Sequence, residues 1–129
     1  MSARPSLDEW LSEAEKERTR GNIGMYLIHN GIVRETPKAK VRNGEDTNTP
    51  VRGLRFTYDG DKVNEYIEKT RQLEGIYYVK AWLNEGLLAV GDDIMLVLIG
   101  GDIRPRVVDA LNFLVGNIKN ECVTEEELF

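Results

Sequence analysis

Cysteine is almost missing from this chain. Cys122 is the only one, so no internal disulfide can form and no clustered thiolate metal site exists, and a reducing, cytoplasmic setting is expected. Histidine is as scarce, with His29 alone. Long apolar runs are absent too. No stretch approaches the roughly 18 apolar residues of a membrane span, and the opening "MSARPSLDEW" has no apolar core of the kind a secretory leader carries. An excess of positive charge is also lacking: the formal net charge is −5, with acidity gathered in Glu121, Glu125, Glu126 and Glu127, which argues against a general nucleic-acid surface. An anionic ligand would need a local basic pocket. There is no phosphate-binding glycine loop, no G-x-S-x-G and no GxGxxG.

What remains is ordinary globular material. A length of 129 residues with 41% apolar and 30% charged side chains fits one soluble domain over 1–129 with a real core. Ser6 followed by Glu9 reads as a capping box. It starts a short helix over about 7–18 whose narrow stripe of Leu7, Trp10, Leu11 and Ala14 marks an accessory element, ended near Gly21. "GMYLIHNGIVR" (24–34) is apolar on both faces, as an inner strand is, with Gly31 marking a bulge or close approach. "ETPKAKVRNGEDTNTP" (35–50) has no period and reads as a long loop. "VRGLRFTY" (51–58) alternates, with Leu54, Phe56 and Tyr58 on one face of a half-buried strand. Val63, Tyr66, Ile67, Thr70 and Leu73 then recur at helical spacing, closed by Gly75. "IYYVKAWL" and "DDIMLVLIG" are two further strands separated by turn-rich sequence from Gly86 to Gly91. Pro105 opens a last helix whose Val107, Val108, Leu111, Leu114, Val115 and Ile118 face the sheet. Four strands and two core helices predict an α+β fold, mainly antiparallel, with the helices on one face. Residues 123–129 are left as an acidic tail.

Lys119 is the first candidate for chemistry. Val108, Leu111, Val115 and Lys119 follow at three or four residues, which puts the amine at the end of the buried stripe. Desolvation there favours the neutral amine and makes a proton acceptor or nucleophile. The competing explanation is a last-turn cation that opposes the helix dipole and bonds terminal carbonyls. At the other end of that helix, "IGGDIRPR" combines two glycines, a helix N-terminus and the charges of Arg104 and Arg106, an arrangement that attracts phosphate or carboxylate. Arg34, ending its strand beside the loop, is a third candidate, either an anion clamp or an edge arginine paired with a carboxylate. Lys38, Lys40 and Arg42 form a solvated loop able to close over an anion. His29 has no second histidine or acid partner in view and reads as a packed or hydrogen-bonded residue. Cys122 reads as a small packing residue, and Asp92-Asp93 as turn chemistry without metal-ligand spacing.

These segments together resemble the catalytic (large) subunit of molybdopterin synthase, the MoaE family, over about 24–122. "NGIVRE" matches a strand ending in G-x-V-R; "GLRFTYDGDKVNEYIEK" resembles the family's strand and following helix. "LNEGLLAVGDDIMLVLIGG" resembles its G-x-L-x-x-G-D-x-I-x-x-V segment, and "RPRVVDALNFLVGNIK" its arginine-led helix ending in lysine. The resemblance implies an α/β-hammerhead fold, a homodimer, and a ubiquitin-like sulfur-carrier subunit whose Gly-Gly C-terminus enters a pocket as a thiocarboxylate. It implies sulfur transfer to cyclic pyranopterin monophosphate in molybdenum cofactor biosynthesis, without a metal or organic cofactor. By matching position Lys119 takes the catalytic role, and Arg34 and Arg104 hold the anion, with Arg106, Lys38 and Lys40 nearby. Two positions depart from the pattern: Ile103 stands where the family usually has histidine, and Glu126 falls where it has a second lysine. The alternative is a non-catalytic relative that binds a ubiquitin-like carrier or a small anionic ligand.

Overall fold

A computed structural model describes residues 3–17, 21–44 and 49–129. Its elements are α1 (Leu7–Glu17), β1 (Met25–Ile32), α2 (Lys38–Asn43), β2 (Gly53–Tyr58), α3 (Gly60–Arg71), β3 (Ile76–Leu83), β4 (Gly86–Ala89), β5 (Asp93–Gly101), α4 (Arg104–Asn117), a π-helical turn (Ile118–Cys122) and β6 (Val123–Leu128). The strands form two antiparallel three-stranded sheets, ordered β1-β5-β3 and β4-β2-β6.

β5 explains why "IMLVLI" is apolar at every position. Being central in its sheet, it buries both faces. Met95, Val97 and Ile99 enter the main core with Val63 and Ile67 of α3 and Val107, Ala110, Leu114 and Ile118 of α4. Leu96 and Leu98 point the other way, under Trp10 of α1, with Tyr26, Tyr78 and Trp82 around them. The two core helices therefore share one face, and α1 lies on the opposite one, as its narrow stripe implies. The Ser6 hydroxyl accepts the Glu9 amide at 3.2 Å, half of the expected capping box. The end expected for this helix at 18–20 lies outside the described residues. Asp59 caps α3 by accepting the amides of Asp61 and Lys62.

Four stretches differ from the sequence reading. β1, expected as an inner strand, lies at the edge of its sheet and pairs with β5 alone among the described residues. The expected loop 35–50 carries α2, with Gly44 in the left-handed region (φ 67°) donating its amide to the Lys40 carbonyl; residues 45–48 of that loop lie outside the described residues. The turn-rich Gly86–Gly91 stretch contains β4, which pairs with β2 from Gly53↔Ala89 to Phe56↔Gly86. The acidic tail is a strand: β6 pairs along β2 from Gly53↔Leu128 to Tyr58↔Val123. Three successive glutamates have low strand propensity, and ladder pairing with an alternating neighbour overrides it.

The face of α4 is also rotated from expectation. Val107, Ala110, Leu114 and Ile118 are fully buried, whereas Val108 is 37% exposed. Lys119 thus flanks the buried face and does not terminate it.

Candidate functional site

The C-terminal end of β1 begins the site. A register shift between Gly31 and Ile32 against β5 is the bulge expected at Gly31, and bulges re-aim the residues that follow. Val33 then turns inward, buried and tied by its amide to the Asp92 carbonyl at 2.9 Å, and Arg34 is delivered to the rim of a cavity. α2 brings Lys38 from the facing side. The π-helical turn brings Lys119, and inserted π turns are frequent where a helix is shaped for function. β6 closes the remaining wall.

The cavity has a volume of about 220 Å³, and His29, Arg34, Lys38, Lys119, Glu125 and Glu127 are its polar lining, with Val51, Leu54 and Ile94 among the apolar part. Strand alternation determines which acids take part. Glu125 and Glu127 face the cavity, while Glu126 points out and pairs with Arg55 at 2.8 Å, both more than half exposed. The carboxylate of Glu125 is only 14% exposed and accepts from the Lys38 ammonium at 2.6 Å. Glu127 accepts the Lys38 backbone amide at 3.0 Å. Together these bonds fasten α2 to β6 across the mouth.

Lys119 keeps much of its surface accessible, yet its amine lies below the ordinary lysine range. Partial burial is the main cause, opposed by Glu125 and assisted by the cations Lys38, Arg42 and Arg34. His29 is likewise held below the usual imidazole value, first by burial and then by the charge of Lys119. Its Nε2 is buried with no hydrogen-bond partner among the described residues. A Cβ at Gly31 would stand 3.6 Å from that nitrogen, an ordinary contact distance.

The structure thus brings together Lys119, Arg34 and Lys38 of the residues singled out from sequence. It does not bring Arg104. That residue is exposed at the start of α4, about 22 Å along the helix axis from Lys119 at roughly 1.5 Å per residue. The expected glycine-rich anion site beside it is also absent: Gly100 and Gly101 are buried in β5 and paired on both sides. The adjacent Asp102 accepts the Ile103 amide at 2.6 Å and the Arg106 guanidinium at 2.7 Å, and Arg106 also pairs with Glu74. A carboxylate already occupies the place where an anion was expected. Lys40 is exposed and outside the cavity lining. Cys122 is buried in the core with its thiol pushed up by burial, in keeping with a packing role. Among the described residues, no group of three or more His, Cys, Asp or Glu side chains could hold a metal ion, and no helix is long and apolar enough to cross a membrane.

Sequence reasoning missed Glu125, Glu127 and the cavity face of His29. An i, i+2 spacing of the two acids was the available signal, and it has meaning only once 123–128 is known to be a strand.

Comparison with known proteins gives a consistent picture. The family model described as "MoaE protein" matches residues 4–121. A sequence search of curated proteins finds no match. Among solved structures, molybdopterin synthase from Staphylococcus aureus is similar with a TM-score of 0.66 at 14% identity, over 88% of this chain and 83% of that one. The complex of subunits 1 and 2 of molybdopterin-converting factor from Helicobacter pylori gives 0.63 at 18% identity, over 95% and 78%. Molybdopterin cofactor biosynthesis protein E from Burkholderia multivorans gives 0.65 at 21% identity, over 98% and 82%.

Proposed function

Because the chain belongs to the MoaE protein family, and so to molybdenum cofactor biosynthesis, we propose that it acts as the large subunit of a molybdopterin synthase. In this reading it transfers sulfur from the thiocarboxylate of a ubiquitin-like carrier to cyclic pyranopterin monophosphate. One observation carries the proposal: Lys119, Arg34 and Lys38, from three separate elements, line one cavity with an apolar floor of Val51, Leu54 and Ile94. Such a cavity suits an extended chain end that is anionic at its tip. Arg34 and Lys38 hold the thiocarboxylate, while Lys119 donates a hydrogen bond to its acyl oxygen and supplies or takes a proton as sulfur departs. The Helicobacter complex contains two subunits, and a small-subunit partner is carried over to this chain on that basis.

A role for Arg104 at this cavity requires a second copy of the chain, because in one copy it lies at the far end of α4. The homodimer implied by the family resemblance would supply one, and the substrate phosphate would then meet guanidinium groups from two copies.

A second reading is favoured by a specific feature. Glu125 and Glu127 occupy the cavity, and Ile103 and Glu126 replace a histidine and a lysine of the family pattern, so a relative that binds a carrier tail without turnover fits too. Reconstitution with thiocarboxylated carrier and the cyclic pterin precursor separates the two. The synthase reading expects dithiolene product, lost in Lys119→Ala while carrier binding persists. No product from the wild-type chain with carrier binding intact would leave the second reading.

A further inference from the structure

Two carboxylates stand in the wall of a cavity read above as the seat of an anion, where negative charge is least expected. We propose that Glu125 and Glu127 are specificity determinants of this cavity: they tune it to a ligand end carrying one negative charge and discriminate against a doubly charged phosphate monoester. The inference rests on the cavity being an anion seat and names the class of anion it takes.

The positions of the two acids in β6 break the local pattern. Glu125 stands opposite Phe56 in the ladder and Glu127 opposite Leu54, and both of those side chains are buried. Residues directly opposite in an antiparallel pair share a face, so the default at 125 and 127 is an apolar residue, and a carboxylate there loses solvation. Glu126, opposite Arg55, follows the pattern and faces out. Departures of this kind collect at functional sites. Fastening α2 does not explain the charge, because a glutamine at either position would accept the same bond from Lys38.

What the acids change is the charge of the hollow. Arg34, Lys38 and Lys119 bring three positive charges to the lining, and Glu125 and Glu127 two negative ones, which leaves an excess of one. His29, held below the ordinary imidazole range by burial and by Lys119, adds none at neutral pH. Arg42 of α2 is exposed and outside the lining. Of the surrounding charges, Glu125 acts most strongly on the Lys119 amine. Coulomb attraction grows in proportion to the charge of a ligand, whereas the cost of stripping its water grows with the square of that charge. A large positive excess therefore favours a dianion, and an excess of one favours a monoanion. A thiocarboxylate and a cyclic phosphate diester each carry one charge, while a phosphate monoester carries close to two at neutral pH.

Three peptides of one sequence test this by calorimetry at neutral pH, ending in the Gly-Gly carboxylate, in its amide, or in a phosphate monoester in place of the carboxylate. The wild type is expected to bind the carboxylate most tightly. Removing a unit charge about 6 Å from the ligand, at an effective dielectric of about 40, changes affinity roughly tenfold for each ligand charge. Glu125→Gln should therefore leave the amide within about twofold, strengthen the carboxylate about tenfold and strengthen the monoester about a hundredfold, and Glu127→Gln should do the same. Glu126→Gln, on the outer face, should leave all three within about twofold. A purely structural role for the acids predicts one common change for the three peptides, and that result in Glu125→Gln and Glu127→Gln would overturn the proposal, as would a wild type that prefers the monoester. Because the readout is binding, a chain that shows the charge-graded response yet makes no dithiolene product fails the synthase reading alone. No binding of the carboxylate peptide by the wild type or either variant would overturn the cavity as an anion seat, and this inference with it.

Discussion

Replacing Glu125 by glutamine removes a negative charge from a cavity proposed to receive an anion, and the consequences are separable. The Glu125 carboxylate is 14% exposed and holds the Lys38 ammonium, which is 39% exposed, at 2.6 Å. Exposed pairs contribute about 0.2–1 kcal/mol and breaking a fully buried one costs about 3–5. Lys38 can rehydrate, so the loss of stability falls near the lower range, about 1 kcal/mol, read as a shift in the urea midpoint. Ligand binding moves the other way. At about 6 Å and an effective dielectric of about 40, one unit charge contributes about 1.4 kcal/mol, or roughly tenfold in affinity. Lys38, freed from its carboxylate, adds to the same direction. Calorimetry with a peptide ending in Gly-Gly should therefore show tighter binding to Glu125→Gln than to the wild type, with the difference shrinking as salt is raised. The control is Glu126→Gln, one residue away on the outer face and paired with Arg55, which should change neither quantity by more than about 0.5 kcal/mol. Equal or weaker peptide binding by Glu125→Gln would refute the reasoning.

Lys119→Met should leave stability within about 0.5 kcal/mol of the wild type, because the amine is partly solvated, while removing sulfur transfer; a lysine serving chiefly as a helix terminator would instead cost about 0.3–1 kcal/mol with activity retained. Since its folded-state pKa lies below the unfolded 10.5, the wild type should gain on this variant as pH rises from the folded value to 10.5, which urea melts at alkaline pH would register. For His29, lowered from 6.5, the sign works in the acid range: above 6.5 its contribution is constant, and as pH falls from 6.5 to the folded value the wild type should lose stability that His29→Phe does not. Gly101→Ala would put a Cβ 2.6 Å from Val107 Cγ2 and 2.7 Å from the Gly75 carbonyl oxygen. Backbone cannot swing aside, so a loss of about 2 kcal/mol is expected, and a melting temperature unchanged within about 2 °C would contradict the packing described.

The parts of the fold legible in sequence are those where period and burial coincide. The β3 segment was readable to the residue because Ile76, Val79 and Leu83 are bounded by Gly75 and a turn, and β5 because six apolar residues in a row have nowhere else to go. α2 and β6 were not, for one physical reason. "KAKVRN" and "VTEEEL" bury few side chains and owe their conformation to contacts with each other and with β2, through Lys38, Glu125 and Glu127. The site divided along the same line. Arg34 and Lys119 were visible because a strand end and a helix end aimed them. The glycine turn beside Arg104 was misjudged because "IGGD" looks like a break in the chain, although both glycines lie inside a strand where close packing against Val107 and Tyr26 requires them. The rotation of α4 turned on Ala110, too small to weigh in a hydrophobic count yet fully buried.

The central claim is that one cavity, walled by the end of β1, α2, the π-helical turn and β6, receives the anionic chain end of a partner. Chemical-shift mapping with a Gly-Gly-tailed peptide tests it most directly. The account predicts saturable shifts confined to Gly31, Val33, Arg34, Lys38, Val51, Leu54 and Lys119, attenuated in Lys119→Met. Shifts clustered instead around Gly100, Gly101 and Arg104 of the same copy, with the cavity residues unmoved, would contradict it.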